Sequence, residues 1–524
     1  LRNNGNEKII ILKCTSSYPS KLKELNLLTL QDLRKRFKII SGFSDHTIGS
    51  LAALASVALG ANLVEKHFNL KNNQSVDDFF SMNHEDFRKM VKKIRNLEIA
   101  MGKIDYKLSK ESAKHFIGRR SIYISKTLNK GEKILSSLSI NGSGQLWLRY
   151  SDLNPGTQIN NNEVQDFWDI SVRRYRLGFK GEVSDKIDFA LLLGNNNINI
   201  KSPNTSPILL ELYMSYKLSD HIIITAGKNP WTGLSRYAAP SSSNSLGLDV
   251  NFASGPFLNF QDDLYRKFSI AAHGIAGKFD YRAVLSKPMN RVSSSSLSED
   301  AKLTYNPNAV YTSAYVKYQF RELEPSTPFS GGTYHGTKNI LNIGAGFTSQ
   351  TKSSQSLTSQ NDTLTHGARS FAIDAYYEQA LTNNHSWTLY AAYINHDIGP
   401  NYVRNLAANN IADAGTGISF NGVGNAIPVN GTGDILVFQA GYLQKFQKDM
   451  FIEGVQPYFL TQYSDLEKLE DPIMLYEGGV SFLMNGHNSK FVLGYQNWPV
   501  VMKDSSIKNS RNSLVVLMYQ FKFK

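Results

Sequence analysis

In the stretch 170–181, ISVRRYRLGFKG, alternate residues part into two chemistries. Tyr175, Leu177 and Phe179 fall on one side, and Arg174, Arg176, Gly178 and Lys180 fall on the other. Strand side chains alternate with a period of two, so such a strand has one apolar, aromatic face and one cationic face. Two settings accept it. In a soluble sandwich the cations face water; in a membrane barrel the apolar face meets lipid and the polar face lines the lumen. One strand leaves both open. The pattern's recurrence over about two thirds of the chain favours the barrel.

The rest of the composition bounds the alternatives. A chain of 524 residues has room for two or more domains, or for one large barrel with something attached. Its most apolar uncharged run, 48–64, is interrupted by glycines and ends at Glu65, too short for a transmembrane helix. Cys14 is the only cysteine, which excludes an intrachain disulfide and a Cys-rich metal site. The net charge of +13 is scattered and no nucleic-acid module is present, so no nucleic-acid partner is expected. The chain opens at Leu1 without a signal-peptide pattern, so export of the chain as written is not expected.

Residues 1–134 follow a different rule. Apolar strand signals at 8–14, 38–42 and 61–67 alternate with helical signals at 27–37, 48–60 and 85–101, which predicts parallel βαβ units. The polar motifs sit just after the strands, where α/β barrels place their chemistry. His46 and His67 close consecutive strands, a spacing open to two readings: a pair of divalent-metal ligands, or two satisfied surface histidines.

The motifs Cys14-Thr15-Ser16-Ser17-Tyr18-Pro19, Gly42-Phe43-Ser44-Asp45-His46-Thr47 and Glu65-Lys66-His67-Phe68 resemble the sialic-acid synthase family. Ser75-Val76-Asp77, Phe80-Ser81, Ala100-Met101-Gly102 and Arg119-Arg120-Ser121-Ile122-Tyr123 resemble its pseudaminic-acid branch. The resemblance implies condensation of phosphoenolpyruvate with an amino sugar, assisted by manganese or magnesium. It implies His46 and His67 as metal ligands, Ser16 and Ser44 on the phosphoenolpyruvate side, and Tyr18 and Asp77 on the sugar side. It also implies a partial TIM-type barrel over 1–102, the last three of eight βα units, and over 103–134 a linker with the first strand of an antifreeze-like domain. The phosphate-binding lysines of the family belong to units not found in this chain, so the fragment is expected to be inactive.

From 135 to 524, sixteen strands are predicted: 145–151, 170–181, 187–195, 208–218, 221–228, 268–275, 278–287, 308–320, 339–350, 368–380, 386–396, 434–446, 450–463, 474–485, 489–497 and 512–523. Their lengths suit tilted membrane strands. Short turns alternate with longer loops, the outer-membrane pattern, with longer loops expected also between strands 9 and 10 and strands 15 and 16. One connection breaks the pattern: 321–338 is too long for a periplasmic turn. The strand count, the long loop 229–267 and the stretches 142–181 and 227–288 resemble the phosphate-selective porin O and P family.

Strand parity predicts a lumen row of Arg149, Arg174, Arg176, Lys180, Lys217, Arg282 and Lys317. Rings of Arg or Lys in a low-dielectric pore favour anions. Glu211, Asp249, Asp262, Asp263 and Asp280 favour instead a mixed lumen whose charges cancel. The expected function is an outer-membrane diffusion channel with weak anion preference, no cofactor of its own, lipid and small solutes as partners, and a homotrimeric state. The alternative is the synthase activity of the front segment, which would be cytoplasmic. Two halves of such different character suggest a chimeric chain joined near 131–140.

Overall fold

The computed structural model describes residues 5–6, 8–70, 75–104, 138–238, 241–255, 266–288, 296–329, 331–381, 384–446 and 450–523. The chain divides into two compact units, Leu1–Thr127 and Leu128–Lys524. The expected antifreeze-like strand, 119–134, lies outside the described residues.

The first unit holds three parallel strands, β1 (Ile10–Cys14), β2 (Ile40–Asp45) and β3 (Leu63–Lys66), in that order. Helices α1 (Thr29–Phe37), α2 (Leu51–Ala58) and α3 (His84–Met101) connect and follow them. The Asn83 side chain caps α3 by accepting from the Asp86 amide at 2.9 Å, satisfying one of the free N–H groups of the first turn. The apolar residues gather in two small clusters, Leu25, Leu30, Phe43, Ala52 and Ala61, then Ala53, Met82 and Met90. Among the described residues β1 and β3 each pair on one side only.

The second unit is mainly β. Its principal barrel strands are β4 (Ser139–Asp152), β5 (Asp166–Ser184), β6 (Ile187–Ile198), β7 (Ile208–Lys217), β8 (Ile223–Asn229), β9 (Lys267–Ala276), β10 (Phe279–Ser286), β11 (Tyr311–Gln319), β12 (Ile340–Leu357), β13 (Thr363–Ala380), β14 (His385–Asp397), β15 (Gly433–Lys445), β16 (Gly454–Leu466), β17 (Ile473–Asn485), β18 (Ser489–Val501) and β19 (Ile507–Phe523), with shorter strands in the loops. Each pairs antiparallel with the next in sequence, and β19 closes on β4 with Leu517 opposite Leu148. All sixteen predicted strands are present. Closure leaves no free edge, the condition a sheet must meet to cross a bilayer.

Outward residues are apolar or aromatic: Leu146, Leu148, Tyr150, Val515, Leu517 and Phe521 all lie exposed around the β4–β19 seam. Ring pairs Phe279–Tyr318, Tyr318–Phe320 and Phe491–Tyr519 stand near the short-turn end, as an interfacial aromatic girdle does.

Three connections depart from expectation. The 9–10 and 15–16 connections are short, not long, because β12–β13 and β18–β19 keep pairing outward to Leu357↔Thr363 and Val501↔Ile507. The anomalous 320–339 connection turns into the barrel, where its Glu324 and Thr333 are buried.

Candidate functional site

In the first unit β2 ends at Asp45 and β3 at Lys66, so His46 and His67 leave neighbouring strand ends together. Their ring centroids are 5.1 Å apart, and the Tyr18 ring lies 4.4 Å from His46 and 6.0 Å from His67. Asp77 Oδ2 stands 3.4 Å from His67 Nδ1, and Cys14 Sγ stands 3.9 Å from His46 Nδ1. Each imidazole therefore meets its neighbour in the fold through Nδ1. Ser44 Oγ donates to Glu65 at 3.4 Å, while Ser16 is exposed. A buried Lys66–Asp45 pair at 2.9 Å stiffens the strand ends. Among the described residues no group of three His, Cys, Asp or Glu is arranged for a metal. The pair fits a metal that draws the rest of its shell from water or substrate, with Asp77 orienting His67 from behind.

In the barrel, several connections enter the lumen. After Asn229 the chain crosses it: Leu234 N donates to Ala314 O on β11 at 3.4 Å, Arg236 N to Asp374 on β13 at 2.5 Å, and Leu248 N to Glu477 on β17 at 2.8 Å. Gln145 on β4 and Gln520 on β19 donate to the carbonyls of Ser242 and Ser243. Wall glycines admit the crossing segment. A Cβ at Gly441 would meet Leu246 at 2.6 Å, and one at Gly494 would meet Leu248 at 2.4 Å. The 320–339 segment docks beneath, with Thr333 N donating to Asn244 O at 2.9 Å. Its Glu324 takes Arg236 at 2.5 Å and Lys317 at 2.7 Å, and Tyr334 OH donates to it at 2.8 Å. Burial alone would raise the Glu324 carboxyl, but Arg236 and Lys317 hold it down at about 2.

The predicted cation row is spread over several environments. Arg149 is buried, bonded to Asp169 at 2.6 Å and roofed by the carbonyls of Ala408 and Asn409. Arg174 is buried against Asp249 at 2.5 Å. Lys317 binds Asp280 at 3.1 Å as well as Glu324. Lys217 pairs with Asp220 at 2.9 Å on the short-turn rim. Arg282 donates to Ser235 O at 2.7 Å and lies over the Tyr315 ring. Arg176 donates to the carbonyls of Tyr175 and Asn195, and Lys180 is exposed. Arg176 and Lys180 line a cavity of about 700 Å³ at the short-turn end, together with Arg266, Lys522, Glu211 and Ser241–Ser243. Asp262 and Asp263 lie outside the described residues.

Sequence parity missed Arg173. The β4–β5 register shifts between Gln145 and Leu146, leaving Arg173 as the extra residue of a bulge. Asp169, Ser171 and Arg173 face inward before it, Arg174 and Arg176 after it. Arg173 reaches Asp249 at 2.6 Å, so two guanidiniums share one carboxylate. The signal was the Arg173-Arg174 doublet itself, a charge on both parities of one strand. His335 was also missed: its ring stacks on His487 at 3.8 Å, joining the docked segment to the β17–β18 turn.

Residues 1–106 match the model of the NeuB family, and residues 140–245 match that of phosphate-selective porin O and P. The front segment is 41% identical over 132 residues to pseudaminic acid synthase of Campylobacter jejuni, covering 25% of this chain and 38% of that protein. The chain is 37% identical over 177 residues to an uncharacterised protein of Methanocaldococcus jannaschii, covering 32% of this chain and 52% of that one. The chain thus spans about half or less of the length of these relatives. Among solved structures, the outer-membrane channel DcaP of Acinetobacter baumannii superposes with a TM-score of 0.44 at 12% identity, over 74% of this chain and 97% of that one. Pseudomonas putida OprB gives 0.48 at 10% identity, over 74% and 94%. In chain order, then, the protein joins a stretch similar to the NeuB synthase family to a closed porin-like barrel similar at its start to phosphate-selective porin O and P, the make-up of a chimeric chain.

Proposed function

We propose that the barrel is an outer-membrane diffusion channel for small solutes with a weak anion preference, assembled as a trimer, and that the front segment has no synthase activity in this chain. The observation that carries the channel reading is the closed antiparallel barrel with an apolar outer face and a polar, loop-crossed lumen. The preference is assigned to the short-turn cavity, whose described lining carries Arg176, Lys180, Arg266 and Lys522, with Arg266 paired to Glu211 at 3.0 Å. It is weak because the central guanidiniums are spent on carboxylates: Arg149 on Asp169, Arg173 and Arg174 on Asp249, Arg236 on Glu324.

For the front segment, the His46–His67 pair supports a residual divalent-metal site, manganese or magnesium by its likeness to the synthases. Catalysis would need an enclosed pocket, and Tyr18 beside the pair is exposed. Liposomes carrying the refolded full chain should swell in isosmotic small sugars, and the same preparation with manganese should leave phosphoenolpyruvate unconsumed in the presence of an amino sugar. Tight liposomes would end the channel reading. Metal-dependent loss of phosphoenolpyruvate would end the inactive-fragment reading.

A further inference from the structure

Between the crossing segment and the 398–432 loop lies a cavity of about 80 Å³. Trp147 on β4 and Trp498 on β18 line it, with Asn251, Asn425, Gln462 and Glu477. Most of its polar groups are already used. Gln462 Nε2 donates to Val429 O at 2.8 Å, Glu477 accepts from Leu248 N and from Gln496 at 2.7 Å, and Asp249 is held by Arg173 and Arg174. Three groups are not. The indole N–H of Trp147, that of Trp498 and the side-chain oxygen of Asn425 have no hydrogen-bond partner among the described residues. Both tryptophans are 2% exposed.

A buried indole N–H normally finds an acceptor, and leaving one unmade costs free energy. Two donors and one acceptor on a single cavity match a hydroxyl group, which both accepts and donates. An ion fits poorly, since Asp249 is already neutralised by two guanidiniums, Glu477 is held by the Leu248 amide and Gln496, and much of the remaining wall is apolar, Val250, Phe252, Ile427 and Leu460 among it. Hydrocarbon beside hydroxyl is the make-up of a polyol or a sugar edge. The volume is several times the roughly 10–15 Å³ that one water needs on the same measure, which leaves room for a hydroxyl-bearing end.

We propose that this cavity is a binding subsite for the hydroxyl-bearing end of a neutral polyol or sugar. Its role as a station for a permeating solute rests on the channel reading above.

The test uses the full chain refolded in detergent, with sorbitol as the probe and ligand-observed saturation-transfer NMR as the readout. A glycol diether of matched size, which has ether oxygens and no hydroxyl, serves as the control. Wild type should give a saturable signal with sorbitol and none with the diether. Trp147→Phe and Trp498→Phe keep a ring and remove the donor; each should weaken sorbitol roughly five- to tenfold, about the worth of one net hydrogen bond. Asn425→Ala, in the loop and outside the barrel wall, should weaken it similarly. Equal signals for sorbitol and diether, or unchanged affinity in Trp498→Phe and Asn425→Ala, would overturn the subsite and leave a cavity for water only. Bilayer conductance of the same sample separates the two claims. Sorbitol binding without conductance keeps the subsite and ends the channel reading, whereas conductance without sorbitol binding does the reverse.

Discussion

Arg236 and Glu324 meet at 2.5 Å in the middle of the barrel, one from the segment that crosses the lumen and the other from the connection that turns in beneath it. Both side chains are almost completely buried, and the Arg236 guanidinium also lies over the Tyr376 ring at 3.6 Å. This pair, with Lys317 on the wall, ties two independent loops to β11.

Glu324→Gln should therefore loosen both. It leaves Arg236 buried without its carboxylate and Lys317 with Asp280 alone, a change that costs about 3–5 kcal/mol. The closed barrel should survive, read as an unchanged heat-modifiable band on a gel. Single-channel conductance should rise, because the docked segment spends less time in the lumen.

The His335–His487 stack should make docking pH-dependent. Burial, then Lys490 and Lys445, lower His335 to about 3; burial, then His335 and Lys490, push His487 well below its usual value. Lys522 adds to the cations, while Glu378 holds the amides of Tyr334 and Gly336 at the same turn. A histidine whose docked pKa is depressed favours docking above about 6.5 and opposes it increasingly as pH falls, at about 1.4 kcal/mol per unit. Conductance should increase from pH 7 to pH 5. In His335→Gln/His487→Gln that slope should flatten.

Asp249 neutralises Arg173 and Arg174 at once. Burial would raise its carboxyl, but Arg173 and then Arg174 hold it at about 2, so its stabilising charge is present above about 3.9 and is lost only as pH falls toward 2. Asp249→Asn should free two guanidiniums in the lumen. The reversal potential in a salt gradient should move further toward the anion value, by more than any single lysine substitution in the short-turn cavity moves it back.

Gly494→Val tests how the crossing segment is seated. The new side chain occupies the space of Leu248 and should cost about 1–3 kcal/mol through overpacking. Thermal unfolding of the refolded barrel should fall by several degrees, with its β content unchanged by circular dichroism.

The strands were legible because an apolar outer face and an inner face packed on loops impose a two-residue alternation, as in Val515, Leu517 and Phe521 outside against Leu514, Val516 and Met518 inside. Closure followed from that alternation and from the turn lengths. What parity could not carry was any break in itself. The bulge at Arg173 turns one extra cation inward, and the continued pairing of β12 with β13 shortens a connection expected to be long. The lumen was legible only as a set of charges. Parity places Arg149, Arg174 and Lys317 inside, and Asp169 faces Arg149 across the β4–β5 pairing, but the neutralisation of Arg174 by Asp249 and of Lys317 by Glu324 depends on loops whose paths no periodicity records. The 321–338 connection was visible as an anomaly of length, and burial inside the barrel is its physical resolution. In the front segment the motifs at the strand ends were enough to bring His46, His67 and Tyr18 together, since parallel neighbours align their carboxyl ends.

Planar-bilayer recording of the full chain, refolded in detergent, with a salt gradient across the membrane tests the channel most directly. Discrete conductance steps with a reversal potential displaced modestly toward the anion value are the predicted result. A folded, β-rich sample that gives no steps, or steps with a cation-side potential, would contradict it.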